Sequence, residues 1–139
     1  MSKYVLYTLA ILSLILLLSG CSGRPSELKA SPGQEFSLSI GQSALITGEN
    51  IQIKFEEIVE DSRCPKDVTC VWAGRVSCIV RLTDGESSDE MVLTEPGLTD
   101  QYSQAMYEQY KLAFHVEPYP EAGKEIPTKE YRLVLIVTR

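Results

Sequence analysis

Polar and apolar positions alternate along most of the chain after residue 34, and they do so with a period of two. Phe36, Leu38 and Ile40 alternate with Ser37 and Ser39, and Ala44 and Ile46 make a second short run. Ile51, Ile53 and Phe55 alternate with Gln52, Lys54 and Glu56. Val76, Cys78 and Val80 share one side of the next run, opposite Ser77 and Arg81, with Ile79 breaking the polarity of that outer side. Leu112, Phe114 and Val116 form a further run, and Leu133, Leu135 and Val137 the last, with Val134 and Ile136 on its other side. Successive side chains of a strand point to opposite faces, so this period, in runs rich in β-branched and aromatic residues, predicts half-buried strands.

The residues between the runs agree. Gly41, Gly48-Glu49-Asn50, Asp84-Gly85, Pro96-Gly97 and the Pro118–Pro127 stretch have the backbone freedom or restriction that turns require. Arg75–Thr83, the turn at Asp84-Gly85 and Met91–Thr94 read as a hairpin. The last run is apolar on both sides, which places it as a central strand covered on both faces. Gln101–Gln109 reads as a loop or a single helical turn, with Thr99 or Asp100 able to cap it. The expected fold is all-β: a single compact antiparallel β-sandwich or small barrel of about six to eight strands.

The amino terminus has a different pattern. Lys3 is the only charge before an apolar run from Val5 to Leu18, the layout of a secretory signal. The run is shorter than the ~20 apolar residues that span a bilayer. Leu18-Ser19-Gly20-Cys21 resembles the lipobox of bacterial lipoproteins. That resemblance implies cleavage after residue 20 and acylation of the Cys21 thiol, with small residues before it fitting a signal peptidase. More than one acyl chain gives stable anchoring. The expected organisation is a signal peptide over 1–20, lipidated Cys21 and a flexible tether over 21–34, and a β domain over 35–139. The tether is rich in Ser, Gly and Pro. The expected location is a membrane, by lipid, on its extracytoplasmic side.

Charge then narrows the partners. The formal net charge is −6, and removal of Lys3 makes the mature chain one unit more acidic. Such a domain does not favour nucleic acid or anionic lipid, so membrane contact should come from the acyl chains on Cys21.

The densest chemistry lies between Asp61 and Arg75. With Cys21 acylated, Cys64, Cys70 and Cys78 remain, and an exported chain meets an oxidising compartment. Of the three possible pairings, Cys64 with Cys70 is expected, because both lie in loop-like sequence and Pro65 helps turn the chain between them. Cys78 occupies an inward strand position and reads as a small buried apolar residue. Closing so short a loop contributes about 2–2.5 kcal/mol in the chain-entropy account, so the bridge acts locally. Gly74 would permit a turn or a close approach that a side chain would block.

Asp61-Ser62-Arg63-Cys64-Pro65 followed by Cys70-Val71-Trp72-Ala73-Gly74 resembles a signature of small secreted or lipid-anchored microbial proteins of uncharacterised function. The Tyr110–Pro120 run and the Tyr131–Val137 strand extend the likeness from about Gln52 to the C-terminus. The resemblance brings no activity with it.

Candidate contact residues are Arg63, Lys66 and Trp72, on the loop that the disulfide would hold. Arg63 can present its fork to an anion, or pair with Glu60, Asp61 or another neighbouring carboxylate, the commoner use. Trp72 is either an exposed anchor or, more ordinarily, a core residue packed on the disulfide. The three thiols and the single histidine, His115, do not have a zinc spacing, and no metal site is expected. Asp84–Glu90 lacks the spacing of a calcium loop. Tyr102, Tyr107, Tyr110 and Tyr119 can form a ligand-facing patch, but core and rim packing is the ordinary reading. Nucleophile-elbow, phosphate-loop and zinc-protease motifs are missing, so no catalytic residue or cofactor is assigned. The expected function is a noncatalytic binding or envelope-support domain. An envelope enzyme with an unrecognised carboxylate-based site is the alternative, and it requires a concave pocket of converging acidic, His or Tyr side chains with shifted pKa values.

Overall fold

The alternations at Ile51–Phe55 and Val76–Leu82 pair with each other and form the middle of one sheet. In a computed structural model, which describes residues 27–139, the strands are β1 (Leu28–Ala30), β2 (Glu35–Ser39), β3 (Ser43–Ile46), β4 (Ile51–Asp61), β5 (Arg75–Asp84), β6 (Ser87–Pro96), β7 (Ser103–Tyr107), β8 (Tyr110–Glu117) and β9 (Arg132–Thr138). A single turn of 3-10 helix covers Thr128–Glu130. The strands form two sheets, β1-β3-β4-β5-β6 and β2-β9-β8-β7. All pairings are antiparallel except β1 with β3. The sheets pack as a sandwich, which selects one of the two expected architectures.

The inward positions are those the alternation picks out. Ile51, Ile53, Phe55, Val76, Cys78, Val80, Leu82 and Leu93 of the first sheet meet Phe36, Leu38, Leu112, Phe114, Val116, Leu133, Leu135 and Val137 of the second. Each Leu, Ile or Phe of this kind stabilises the fold by about 1.5–3 kcal/mol through removal from water. The hairpin β5–β6 forms in full register from Arg75↔Pro96 to Asp84↔Ser87. Strand β9 lies between β2 and β8, and Val134 on its outer side is buried as well.

Two expectations need correction. Gln101–Gln109 is neither loop nor helix, because Ser103–Tyr107 pairs with β8 from Ser103↔Phe114 to Tyr107↔Tyr110. Its inward positions are Ser103, Ala105 and Tyr107, and two of these are too small to give an apolar period. Leu28–Ala30, inside the stretch read as tether, forms β1 and buries Ala30 against the core. A three-residue strand gives no period, and β1 exists only through its pairing with β3. These two strands raise the number among the described residues to nine. The signal segment over 1–20, Cys21 and the tether as far as residue 26 lie outside the described residues.

Two register shifts in the β4–β5 ladder, between Phe55 and Glu57 and between Ile58 and Glu60, break the alternation late in β4. Bulges of this kind re-aim the strand that carries them. They deliver Asp61 and Arg63 to one end of the sandwich, where β4 ends, β5 begins, and β6 and β8 end.

Cys64 and Cys70 are joined, and Cys78 is a free thiol in the core. Burial, then the nearby Glu95 carboxylate, pushes the Cys78 thiol up to about 12. The thiolate is the reactive form, so Cys78 should resist maleimide in the folded protein and label on unfolding, as followed by mass spectrometry. Rapid labelling of the native protein would contradict its place in the core.

Candidate functional site

The site grows from a gap in the second sheet. Strand β7 pairs β8 only as far as Phe114, so beyond that residue one edge of β8 lacks a strand neighbour. A residue in a strand points its N–H and C=O to the same side, and unpaired buried groups of this kind are costly. At Val116 two side chains from the other sheet take the place of the missing strand. Glu95 Oε2 accepts the Val116 N–H at 2.7 Å, and Arg63 Nη1 donates to the Val116 carbonyl at 2.7 Å.

Both side chains are held by further bonds. Arg63 donates to both carboxylate oxygens of Asp61, Nε to Oδ1 at 2.9 Å and Nη2 to Oδ2 at 2.7 Å. Nη2 also donates to the Pro118 carbonyl at 2.9 Å, and the Tyr119 ring lies 5.0 Å from the guanidinium carbon. Tyr131 donates its hydroxyl to Asp61 Oδ2 at 3.1 Å. Burial, then the Asp61 carboxylate, pushes the Tyr131 phenol up to about 12. His115 Nδ1 lies 2.6 Å from Glu95 Oε1, with the Tyr102 ring 6.1 Å from its own. Arg63 is 3% exposed and Glu95 1%. Arg63 is therefore no surface contact: of the two roles open to it, it takes the carboxylate pair, with Asp61.

On this base the loop 62–74 is built by close backbone packing. Ser62 N–H donates to the Arg75 carbonyl and Cys64 N–H to the Ala73 carbonyl, which carries the pairing beyond β4. Gly97 N–H donates to the Gly74 carbonyl. Gly74 has a φ of +70°, and a Cβ there would stand 1.8 Å from the Ser62 carbonyl oxygen. A Cβ on Gly97 would stand 2.0 Å from the Ala73 oxygen. Only glycine allows these three backbone segments to stack. The disulfide then ties Cys70 back to buried Cys64.

The tip carries what the base excludes. Trp72 is 81% exposed and Val71 87%, so the expectation that Trp72 packs on the disulfide is corrected. With Ala73 bonded to Cys64 and Gly74 packed on Ser62, the backbone at residue 72 has no route into the core. Lys66 is also exposed and pairs with Glu121. Beside the loop, Lys66, Leu98, Thr99, Asp100 and Tyr119 line an open hollow of about 350 Å³.

A second cleft of about 380 Å³ lies over Asp61, Arg63, Lys124, Ile126 and Tyr131. Asp61, Arg63 and Tyr131 spend their polar atoms on one another there, Glu60 and Glu125 also line it, and a smaller cleft of about 130 Å³ gathers Tyr119, Glu121, Glu125 and Glu130. The tyrosines do not form one patch. Tyr107 and Tyr110 are buried with their hydroxyls on Asp89 and Glu49, Tyr102 bonds Glu35, and Tyr119 accepts the Leu98 N–H. Among the described residues no three His, Cys, Asp or Glu side chains cluster to hold a metal ion. Glu95 is the residue that sequence reasoning missed. Its position in the alternation, two after Leu93 on an inward face, was the available signal. The chain matches no protein-family model, no curated protein and no solved structure.

Two measurements test the base. Arg63→Ala removes the cation paired with Asp61 and leaves the Val116 and Pro118 carbonyls without their donor, and it should cost about 3–5 kcal/mol, read from urea unfolding. Arg63→Lys, which lacks the fork, should restore only part of it. A loss near 1 kcal/mol, typical of a surface pair, would contradict the role given to Arg63. The raised Tyr131 phenol makes a contribution to stability that is whole below its ordinary value of 10 and lost as pH rises through about 12. Tyr131→Phe should therefore flatten the fall of the urea midpoint across that window.

Proposed function

We propose that this chain is a lipid-anchored envelope protein whose β-sandwich is a noncatalytic binding module, with the tip of the loop 62–74 as its contact surface. The observation that carries this reading is the exposure of Val71 and Trp72 on a loop whose base is rigid. Burying an apolar side chain in a partner is favourable, and Trp is prominent among residues that anchor interfaces. A contact residue on a fixed loop loses little conformational entropy on binding. Here the disulfide, the glycine stack and the Arg63 bonds hold that loop before any partner arrives.

Three further features support the reading. A disulfide suits an exported protein, as the lipobox at Leu18–Cys21 requires. The acidic net charge agrees with anchoring by lipid and not by a basic surface. In the Asp61–Tyr131 cleft the buried groups Asp61, Arg63 and Tyr131 are engaged with one another, which favours a structural role for them over a catalytic one.

Cys21→Ala should move the protein from the detergent phase to the aqueous phase in a detergent-partition assay. Unchanged partition into detergent would sink the anchor. A photocrosslinking amino acid in place of Trp72 should give adducts on intact cells, and the same group in place of Val92, exposed on β6, should not. Equal labelling from both positions would count against the loop as the contact.

A further inference from the structure

We propose that Val71 and Trp72 seat in the surface of the same bilayer that holds Cys21, making the loop tip a second membrane contact that sets the domain's orientation. This rests on the anchor and contact-loop reading above and names the partner as lipid.

The strand directions bring the two features to one end. Strand β1 is parallel to β3, and β3 is antiparallel to β4, so β1 runs opposite to β4. Strand β4 runs toward the loop. The chain therefore enters β1 travelling from the end of the sandwich that bears Trp72.

The lengths also match. Leu28 stands level with Ala44 and, through it, with Ile53. From Ile53 to the end of β4 at Asp61 the strand climbs about 20 Å, because its two bulges set it against only the six steps from Leu82 to Val76 of β5, at ~3.3 Å each. Six residues lie between Cys21 and Leu28, and the seven Cα–Cα steps across them reach at most about 25 Å. A membrane holding Cys21 can thus lie at the level where β4 ends. The loop continues past that level, because Cys64 and Ala73 extend the pairing beyond Asp61 and the tip residues follow Cys70.

The chemistry of the tip fits lipid. Trp places its ring at the headgroup level of bilayers, with an apolar body and a polar N–H. Lys66 is paired with Glu121, and the domain is acidic, so the attraction is apolar and suits a zwitterionic surface. Two side chains do not recruit a protein by themselves. With the anchor holding the domain at high effective concentration they need only choose which end faces the membrane.

Trp72 is the sole tryptophan of the chain and reports its own surroundings. The full lipidated protein, reconstituted in phosphatidylcholine vesicles, should show Trp72 emission shifted to the blue. Brominated lipids should quench it, and acrylamide should quench it less than in solution. A double variant, Trp72→Phe with Met106→Trp, moves the reporter to the other end of the sandwich, where Met106 is 62% exposed on β7. That reporter should remain water-exposed. If the protein fails to float with vesicles, the anchor reading falls and this inference with it. If it floats while acrylamide reaches Trp72 as in solution, the anchor stands, the loop is left to a protein partner, and the lipid contact alone is overturned. Equal lipid quenching at both positions would show no preferred orientation and would overturn it too.

Discussion

One edge of β8 runs out of partners, and the rest of the site depends on how that gap is closed. Strand β7 ends its pairing at Phe114, yet Val116 is buried and its main-chain groups need bonds. Glu95 takes the N–H and Arg63 the carbonyl, one from β6 and the other from just beyond β4. Two charged side chains thus do what a strand would have done, and in doing so fasten the first sheet to the second. Neither charge is left bare. Asp61, itself held by the Tyr131 hydroxyl, answers Arg63, and His115 lies against Glu95.

That fastening explains the composition of the segment around it. Asp61 and Arg63 form a fork two residues apart, and Cys64 follows because the next backbone bond, to Ala73, turns inward. Gly74 and Gly97 are small because main chains touch there. The segments Asp61-Ser62-Arg63-Cys64-Pro65 and Cys70-Val71-Trp72-Ala73-Gly74 are therefore mostly a recipe for a rigid corner. Val71 and Trp72 are its exceptions. They contribute little to packing and leave a large apolar surface exposed.

The raised Tyr131 phenol and the Arg63 fork belong to one unit, so their substitutions should not add independently. The same unit forms part of the lining of the cleft over Asp61 and Tyr131.

By itself the sequence determined whatever depends on local period and local chemistry. Seven strands, the β5–β6 hairpin, the central place of β9, the inward Cys78 and the need for glycine at position 74 follow from alternation, turn residues and short-range sterics. The Cys64–Cys70 bond followed from thiol count and loop context. Only the tertiary structure decided the rest. Strand β1 is too short to show a period, and β7 carries Ser103 and Ala105 where a period would need larger apolar residues; both exist because a neighbour pairs with them. Arg63 offered an anion contact or an ion pair, and the choice came from carbonyls at Val116 and Pro118, more than fifty residues away. Glu95 looked like one of many acidic residues until the β8 edge gave it a partner. Trp72 looked like core until a bonded, glycine-packed backbone turned it outward. Hydrophobic period reports which face of a strand is dry, but it carries no record of which main-chain groups a distant strand leaves unpaired.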